Sequence, residues 1–366
     1  MIHIFINALA ASAGGGLTYV RNVIPALAEQ NDVKVSIAVG RSFREEFPQF
    51  ANVEFTDLDF SPVRRFWFEQ SSLPELIRRS GANVLLSTGN FALRKSPVPQ
   101  ILLSRNSIYT SADYSRDLRQ RREYWKWADT HLRAILAKRS IHWADATVAP
   151  TEAFATELRK WTGASVRAIH HGFDREAFVR NSKPLPEKTE AKIRAADGAF
   201  KLLFVSHYNY YRNFETLIRA LPLVRSQMGN RSVRLLLTCE LAAGKNPGAY
   251  RPDSAASLIK ELGVSEMVVE LGAIPNQQLH RLYARADLYV TPAYTETFAH
   301  PLVEAMSSGL PVIASDIPVH REICEETGLY VEKFSPGAFG EAIVRLAKSP
   351  ESLKRMAVAG RERAKA

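Results

Sequence analysis

A repeated rhythm constrains this chain more than any single residue does. Short apolar runs at 2–9, 33–39, 52–58, 83–87, 100–104, 146–149 and 166–170 alternate with longer amphipathic segments. The alternation then breaks and resumes, with further runs at 201–206, 233–238, 267–271, 287–291, 311–314 and 329–331. Strands separated by helical segments predict parallel sheets, because neighbouring parallel strands need a crossover and cannot be joined by a tight turn. The break, RNSKPLPEKTEAK from Arg180, is rich in proline and charge, as an interdomain linker is. At 366 residues the chain also exceeds what one hydrophobic core usually serves. The expected fold class is α/β, with two doubly wound domains facing a cleft and ligands at the carboxyl ends of the strands. The expected boundaries are 1–182 for the first domain, 183–199 for the linker, 200–349 for the second domain and 350–366 for a terminal helix.

Bulk properties narrow the function classes. No apolar run approaches the length that spans a bilayer, and the first residues read as a strand rather than a signal peptide. The expectation is a cytoplasmic protein. Its two cysteines, Cys239 and Cys324, fit a reducing compartment and offer no metal-site spacing. A net charge of +10 calls for an anionic partner. Nucleic acid is the weakest choice, since no zinc-finger, homeodomain or RNA-recognition pattern is present, and no nucleic-acid partner is expected.

The run YTETFAHPLVEAMSSGLPVIASD, 294–316, carries the most chemistry. Pro301 suits the first position of a helix, where its missing N–H costs nothing. Glu296 then lies in the loop before the helix and Glu304 about one turn inside it. The free amides of a helix start favour an anion such as a diphosphate, while carboxylates accept hydrogen bonds from sugar hydroxyls. One segment therefore offers groups for both halves of a nucleotide sugar.

Glu296 and Glu304, seven residues apart, with Phe298, Pro301, Ala305, Met306, Gly309, Pro311 and Val312 around them, resemble the signature of retaining glycosyltransferases of family 4. The resemblance implies the GT-B fold, with an acceptor-side first domain and a nucleotide-sugar-binding second domain. It also implies roles residue by residue. Gly15 and Gly16, after the first strand, match a loop that approaches the donor diphosphate. Arg212, followed by Asn213, stands where relatives carry a lysine at a helix start. Ser206 and His207 stand where relatives commonly carry an arginine, so one cation of the family pattern is missing. Gly272 and Ile274 match the segment whose backbone brackets the base. Phe298, Ala299, His300, Leu302 and Val303 accompany the two glutamates at the donor. Arg105 and Asn106 occupy the acceptor-side position at which many relatives have a histidine. The segment from His170 to Asp174 matches a strand-end motif, and its adjacent histidines lack a third ligand for a metal. The last residues begin like the family's closing helices and then stop.

Two other features have plainer readings. Asp57 and Asp59 resemble the metal-binding pair of a different glycosyltransferase fold, but solvated strand-end carboxylates explain them. In 121–139, Trp125, Leu132, Ile135 and Leu136 form an apolar stripe flanked by basic residues, which suits either a membrane surface or a helix packed on the core.

The expected function is retaining transfer of a hexose, such as mannose, rhamnose or glucose, from a GDP- or UDP-linked donor to a glycan or lipid-linked glycan in cell-surface polysaccharide synthesis. Glu296 and Arg212 are the expected catalytic residues, with Glu304 on the ribose and no cofactor or metal. The expected site is cytoplasmic, peripheral at the inner face of the cell membrane. Two alternatives stay open: a glycoside hydrolase using Glu296 and Glu304 as acid and nucleophile, and a GT-B protein that binds nucleotide sugars without turnover.

Overall fold

A computed structural model describes residues 1–11, 15–180 and 182–365. The chain divides into two compact units, Met1–Gly172 and Phe173–Ala366. The first contains β1 (Ile2–Asn7), β2 (Val33–Val39), β3 (Val53–Asp57), β4 (Val84–Ser87), β5 (Gln100–Leu103), β6 (Ala146–Ala149) and β7 (Arg167–Ala168). They form one sheet in the order β3-β2-β1-β4-β5-β6-β7, parallel throughout, with Ile4 beside Val35 on one side and Val84 on the other. Side chains alternate across it. Ile6, Val35 and Ile37 meet Val20 and Ile24 of the helix Gly15–Ala28 on one face, while Phe5, Ala38 and Leu85 meet Leu73 and Ile77 of the helix Leu73–Ser80 on the other. Helices on both faces are why these strands read as nearly continuous apolar runs.

The second unit repeats the plan with β8 (Phe200–Phe204), β9 (Val233–Leu237), β10 (Val268–Glu270), β11 (Leu288–Thr291), β12 (Val312–Ser315) and β13 (Leu329–Val331). Their order is β10-β9-β8-β11-β12-β13, again all parallel. In each unit the order turns back beside the first strand, between β1 and β4 and between β8 and β11. Crossovers leave opposite sides there, opening a crevice at the carboxyl ends.

The unit boundary lies after Gly172, ten residues before the boundary expected at 182. The segment expected as a linker, 183–199, contains the helix Glu187–Arg194, whose Thr189 and Ile193 are buried in the second unit. Its charges are used locally. Glu190 pairs with Arg285 at 2.8 Å and Lys192 donates to the Glu270 carbonyl. Composition suggested a solvated tether because only one face of this short helix is apolar. The 350–366 region does form a helix, Pro350–Arg363, seated within the second unit with Arg363 donating to the carbonyls of Ile323 and Glu322. Asp57 and Asp59 serve the short helix Arg41–Arg44, accepting from Arg41 Nε at 3.3 Å and from its backbone N–H at 3.1 Å.

Gln100, fully buried on β5, accepts from the Leu93 N–H at 2.7 Å and donates to the Leu93 carbonyl at 3.1 Å. It thereby ties down the loop between β4 and β5. Gln100→Leu leaves both backbone groups dehydrated and unpaired, and should lower the stability of the first unit by about 2–3 kcal/mol, read as a shifted urea midpoint. An unchanged midpoint would refute this.

Candidate functional site

In the second unit the site starts where β8 ends. Ser206 donates its backbone N–H to Thr238 Oγ1 at 2.9 Å and its hydroxyl to the His207 carbonyl at 2.8 Å. The chain then makes the 3-10 turn Tyr210–Arg212 and enters the helix Phe214–Gln227. This turn aims Arg212 at Glu296 in the loop after β11, and the two side chains form an ion pair. Glu296 is 8% exposed. The buried Arg212 Nε has no hydrogen-bond partner among the described residues, so the cation keeps donor capacity. The backbone holds the two loops together as well, since Tyr294 N–H donates to the Tyr211 carbonyl at 3.0 Å.

Ser206 and His207 bring no permanent cation to this corner. Burial, and then the charge of Arg212, lower the proton affinity of His207. His320, fully buried and near the same guanidinium, is pushed down to about 4, chiefly by burial. Both imidazoles are neutral near pH 7.

Asn213, expected at the donor, has its side chain bound within the second unit. Its backbone lies in the left-handed region, φ 59°. Its amide donates to the Pro292 carbonyl at 3.0 Å and the Lys333 carbonyl at 2.7 Å, while its oxygen accepts from Thr216 Oγ1 at 2.8 Å. The side chain is thus spent on fixing the loops that carry Arg212 and Glu296. Asparagine is one of the few residues that enters the left-handed region readily.

The helix of the signature run is His300–Ser307, capped by Ala299 at φ 63°, with Pro301 one position later than expected. The Leu302 N–H donates to the Ala299 carbonyl at 2.9 Å, so it is not the free amide the sequence suggested. Val303 is buried. Phe298 and His300 place their rings 4.7 Å apart, and burial pushes His300 down to about 4. Glu304 is 5% exposed and accepts from the Tyr283 hydroxyl at 2.9 Å. Burial pushes its carboxyl up to about 7, against the opposing effect of that bond. Glu304 therefore exchanges its proton near neutrality. Gly272, at φ 82°, has Glu240 Oε1 3.3 Å from where a Cβ would stand, and Ile274 is half-buried. A side chain at 272 would be both strained and crowded.

In the first unit Gly16 and Arg105 come together. A Cβ on Gly16 would run into the Arg105 guanidinium, so glycine is what lets the helix start approach it. Gly15 opens the same helix, and Ala13 and Gly14 of the glycine-rich run lie outside the described residues. Arg105 Nε donates to the Thr88 carbonyl at 2.7 Å, and Asn90 Oδ1 takes the Arg105 N–H at 2.7 Å. Burial pushes the guanidinium down to about 10, leaving it charged at neutral pH. Asn106 Oδ1 accepts from the Ile108 N–H at 3.3 Å, capping a 3-10 turn.

Sequence reasoning missed three groups here. Tyr283 sits on an amphipathic helix face that reads as plain core. Asn7, at the end of β1, donates to the buried Glu69 at 3.1 Å, and burial raises that carboxyl. The 62 positions between them leave no pattern to find. Among the described residues no group of three or more His, Cys, Asp or Glu side chains is placed to hold a metal.

Asn213→Ala removes two donors from buried carbonyls and puts alanine at positive φ. It should cost about 2–3 kcal/mol in denaturant unfolding of the second unit, and Asn213→Gly, which keeps the backbone freedom, somewhat less. Wild-type stability in both variants would contradict the positioning role.

Comparison with known proteins gives these groups their context. The model for glycosyl transferases group 1 matches residues 186–363, and the model for Glycosyltransferase Family 4 matches residues 13–177. A D-inositol 3-phosphate glycosyltransferase of Nocardia farcinica is 28% identical over 229 residues, 61% of this chain and 49% of that protein. One from Corynebacterium glutamicum is 30% identical over 198 residues, 53% and 44% respectively. The chain spans about half the length of these curated relatives. Among solved structures, a sucrose-phosphate synthase from Thermosynechococcus elongatus superposes with a TM-score of 0.77 at 21% identity, covering 100% of this chain and 94% of that one. Anabaena HepE in complex with UDP-glucose follows with 0.72 at 16% identity, covering 100% and 94%. Those structures share the fold. With the two family models lying on its two parallel-sheet units, the chain belongs to glycosyltransferase family 4.

Proposed function

We propose that the protein transfers a hexose, with retention, from a UDP- or GDP-sugar to a hydroxyl of a glycan or lipid-linked glycan. The observation that carries this reading is the Arg212–Glu296 pair beside the helix that holds Glu304. A diphosphate competes with Glu296 for Arg212, and a buried carboxylate stripped of its cation costs about 3–5 kcal/mol. Hydroxyls of the donor sugar can offset that loss by donating to Glu296. Recognition of the diphosphate and of the sugar is then coupled through one side chain. Arg212 stabilises the negative charge that grows on the departing diphosphate, and the leaving phosphate takes the acceptor's proton. Because His207 and His320 are neutral near pH 7, Arg212 carries this charge without help from them. Glu304, as a carboxylate, accepts from the ribose hydroxyls. Acceptor recognition is assigned to Arg105 and Asn106 of the first unit. The UDP-glucose bound by HepE is in keeping with a nucleotide-sugar donor.

The alternatives separate cleanly in the test tube. Release of free hexose with no transfer points to hydrolysis, and nucleotide binding without either points to a binding module. Glu296→Ala should lower kcat by a factor of about 100 or more, whereas Glu304→Ala should chiefly weaken nucleotide binding, by about tenfold. Because the Glu304 carboxyl titrates at about 7 and binds ribose as an anion, nucleotide affinity should fall as the pH drops from 8 to 6. Glu304→Gln should flatten that profile. Equal, negligible effects of both alanine variants would sink the assignment.

We also assign the first unit a peripheral site on an anionic membrane. No helix of the described residues is long and apolar enough to cross a bilayer. On the helix Tyr124–Trp143, however, Trp125 is 91% and Leu132 60% exposed, with Lys126 and Arg139 on the same helix. Aromatic and aliphatic groups among cations suit an interface of anionic lipid. Cosedimentation with phosphatidylglycerol vesicles should be strong at low salt and fall as salt rises. Absence of cosedimentation, or its persistence in Trp125→Ser/Leu132→Ser, would remove this part of the reading.

A further inference from the structure

The same helix has a second face that neither the donor site nor the membrane reading uses. Trp127, His131, Ala134 and Lys138, at helical spacing, line a cavity of about 320 Å³ within the first unit. Trp125 and Leu132 lie on the opposite side of the helix. The cavity is closed by the 3-10 turn Ser107–Tyr109, the helix Ala112–Gln120 and Trp161. Its size is at the small end for sites that bury a small molecule.

Its lining combines the apolar side chains of Ile108, Leu118 and Ile135 with aromatic rings and hydroxyls. Trp127 and His131 stack 5.0 Å apart at 30°, and the indole N–H donates to Ser115 Oγ at 2.9 Å, which fixes the ring as a platform. Trp161 stands elsewhere in the wall with the Lys138 ammonium 5.9 Å from its ring centre. Hydroxyls are set between these rings. Ser111 Oγ accepts from the Tyr114 N–H at 3.2 Å and Ser115 Oγ from Trp127, and each retains its own hydrogen to donate. Thr110 gives its hydrogen to the Ser107 carbonyl at 2.9 Å and retains lone pairs to accept. Aromatic faces beside directional donors and acceptors match a pyranose, which has apolar C–H faces and an equatorial rim of hydroxyls. An alkyl chain would dehydrate Thr110, Ser111, Ser115 and Thr130 without replacing their hydrogen bonds.

We infer that this cavity is a saccharide subsite, occupied by a sugar residue of the acceptor glycan. The occupant's identity as acceptor rests on the glycosyl-transfer reading above. Its place is supported by Tyr109, which lines the cavity and whose hydroxyl lies beside the side chains of Asn106 and Arg133. The cavity wall is therefore continuous with the residue assigned to the acceptor. A subsite of this kind engages a sugar beyond the one that receives the new bond, so it selects for chain length and raises affinity without touching the reacting atoms.

The test uses the full chain, saturated with UDP and separately with GDP, and saturation-transfer NMR with methyl α-mannoside, methyl α-glucoside, maltose and cellobiose, with decanoate as the apolar probe. At least one saccharide should bind in the presence of nucleotide and equally in Glu296→Ala. Ala134→Phe, which fills the cavity from its helical wall, should weaken that binding by about tenfold or more while leaving the thermal midpoint and nucleotide affinity unchanged. Trp127→Phe retains a ring but loses the Ser115 bond, and should weaken it less. No binding by any of the four saccharides, binding indifferent to Ala134→Phe, or binding of decanoate alone would overturn the subsite. Any of these results with nucleotide affinity intact leaves the donor assignment standing. Loss of nucleotide binding in the wild type would instead remove the donor assignment and not the cavity's sugar affinity.

Discussion

Parallel pairing is the constraint on which everything else here depends. When every strand of a sheet runs the same way, every carboxyl end arrives at one edge, and each chain segment leaving that edge must turn into a crossover helix. Loops that share no sequence neighbourhood are thereby gathered together. In the second unit the edge collects Arg212 after β8, Gly272 after β10 and Glu296 after β11. In the first it collects Gly16 after β1, Thr88 after β4 and Arg105 after β5. The chemistry of the site is a by-product of topology first and of side-chain choice second.

At that edge Ser206 and His207 stand where the resemblance led one to expect an arginine. Two histidines near Arg212 stay neutral, and Asn213, next in sequence, is committed to backbone carbonyls. The Arg212 guanidinium faces Glu296, with its planar fork suited to either a carboxylate or a phosphate. Arginine is also less heavily hydrated than lysine, so a buried exchange of one anion for another is less costly for it.

Much of this was legible in the sequence because the signals were periodic or local. All thirteen strands of the two sheets fall within a residue or two of the apolar runs that announce them, since strands covered on both faces stay mostly apolar. The placing of Glu296 before a helix and Glu304 within it followed from Pro301 alone. The helix Glu187–Arg194 escaped because two prolines and a high charge density precede it, and one buried isoleucine is too weak a stripe to read. Tyr283 beside Glu304, and Asn7 beside Glu69, escaped for a different reason. They are contacts between elements distant in sequence, and no spacing rule encodes those. The expectation that Leu302 offers a free amide failed at the scale of one residue, where Ala299 at positive φ tightens the first turn so that its own carbonyl takes the proton.

The helix Pro350–Arg363 gives the helix His300–Ser307 a packing partner. Gly360 brings its backbone against Met306, which lies 3.3 Å from where a Cβ would stand, and the Arg361 guanidinium fills the space where one would stand on Gly309. Contacts this close pack the helix bearing Glu304 directly on Pro350–Arg363, so that a side chain at 360 would press on Met306. A substitution at Gly360 would therefore reach the helix that bears Glu304 from outside, with no residue around that carboxyl changed.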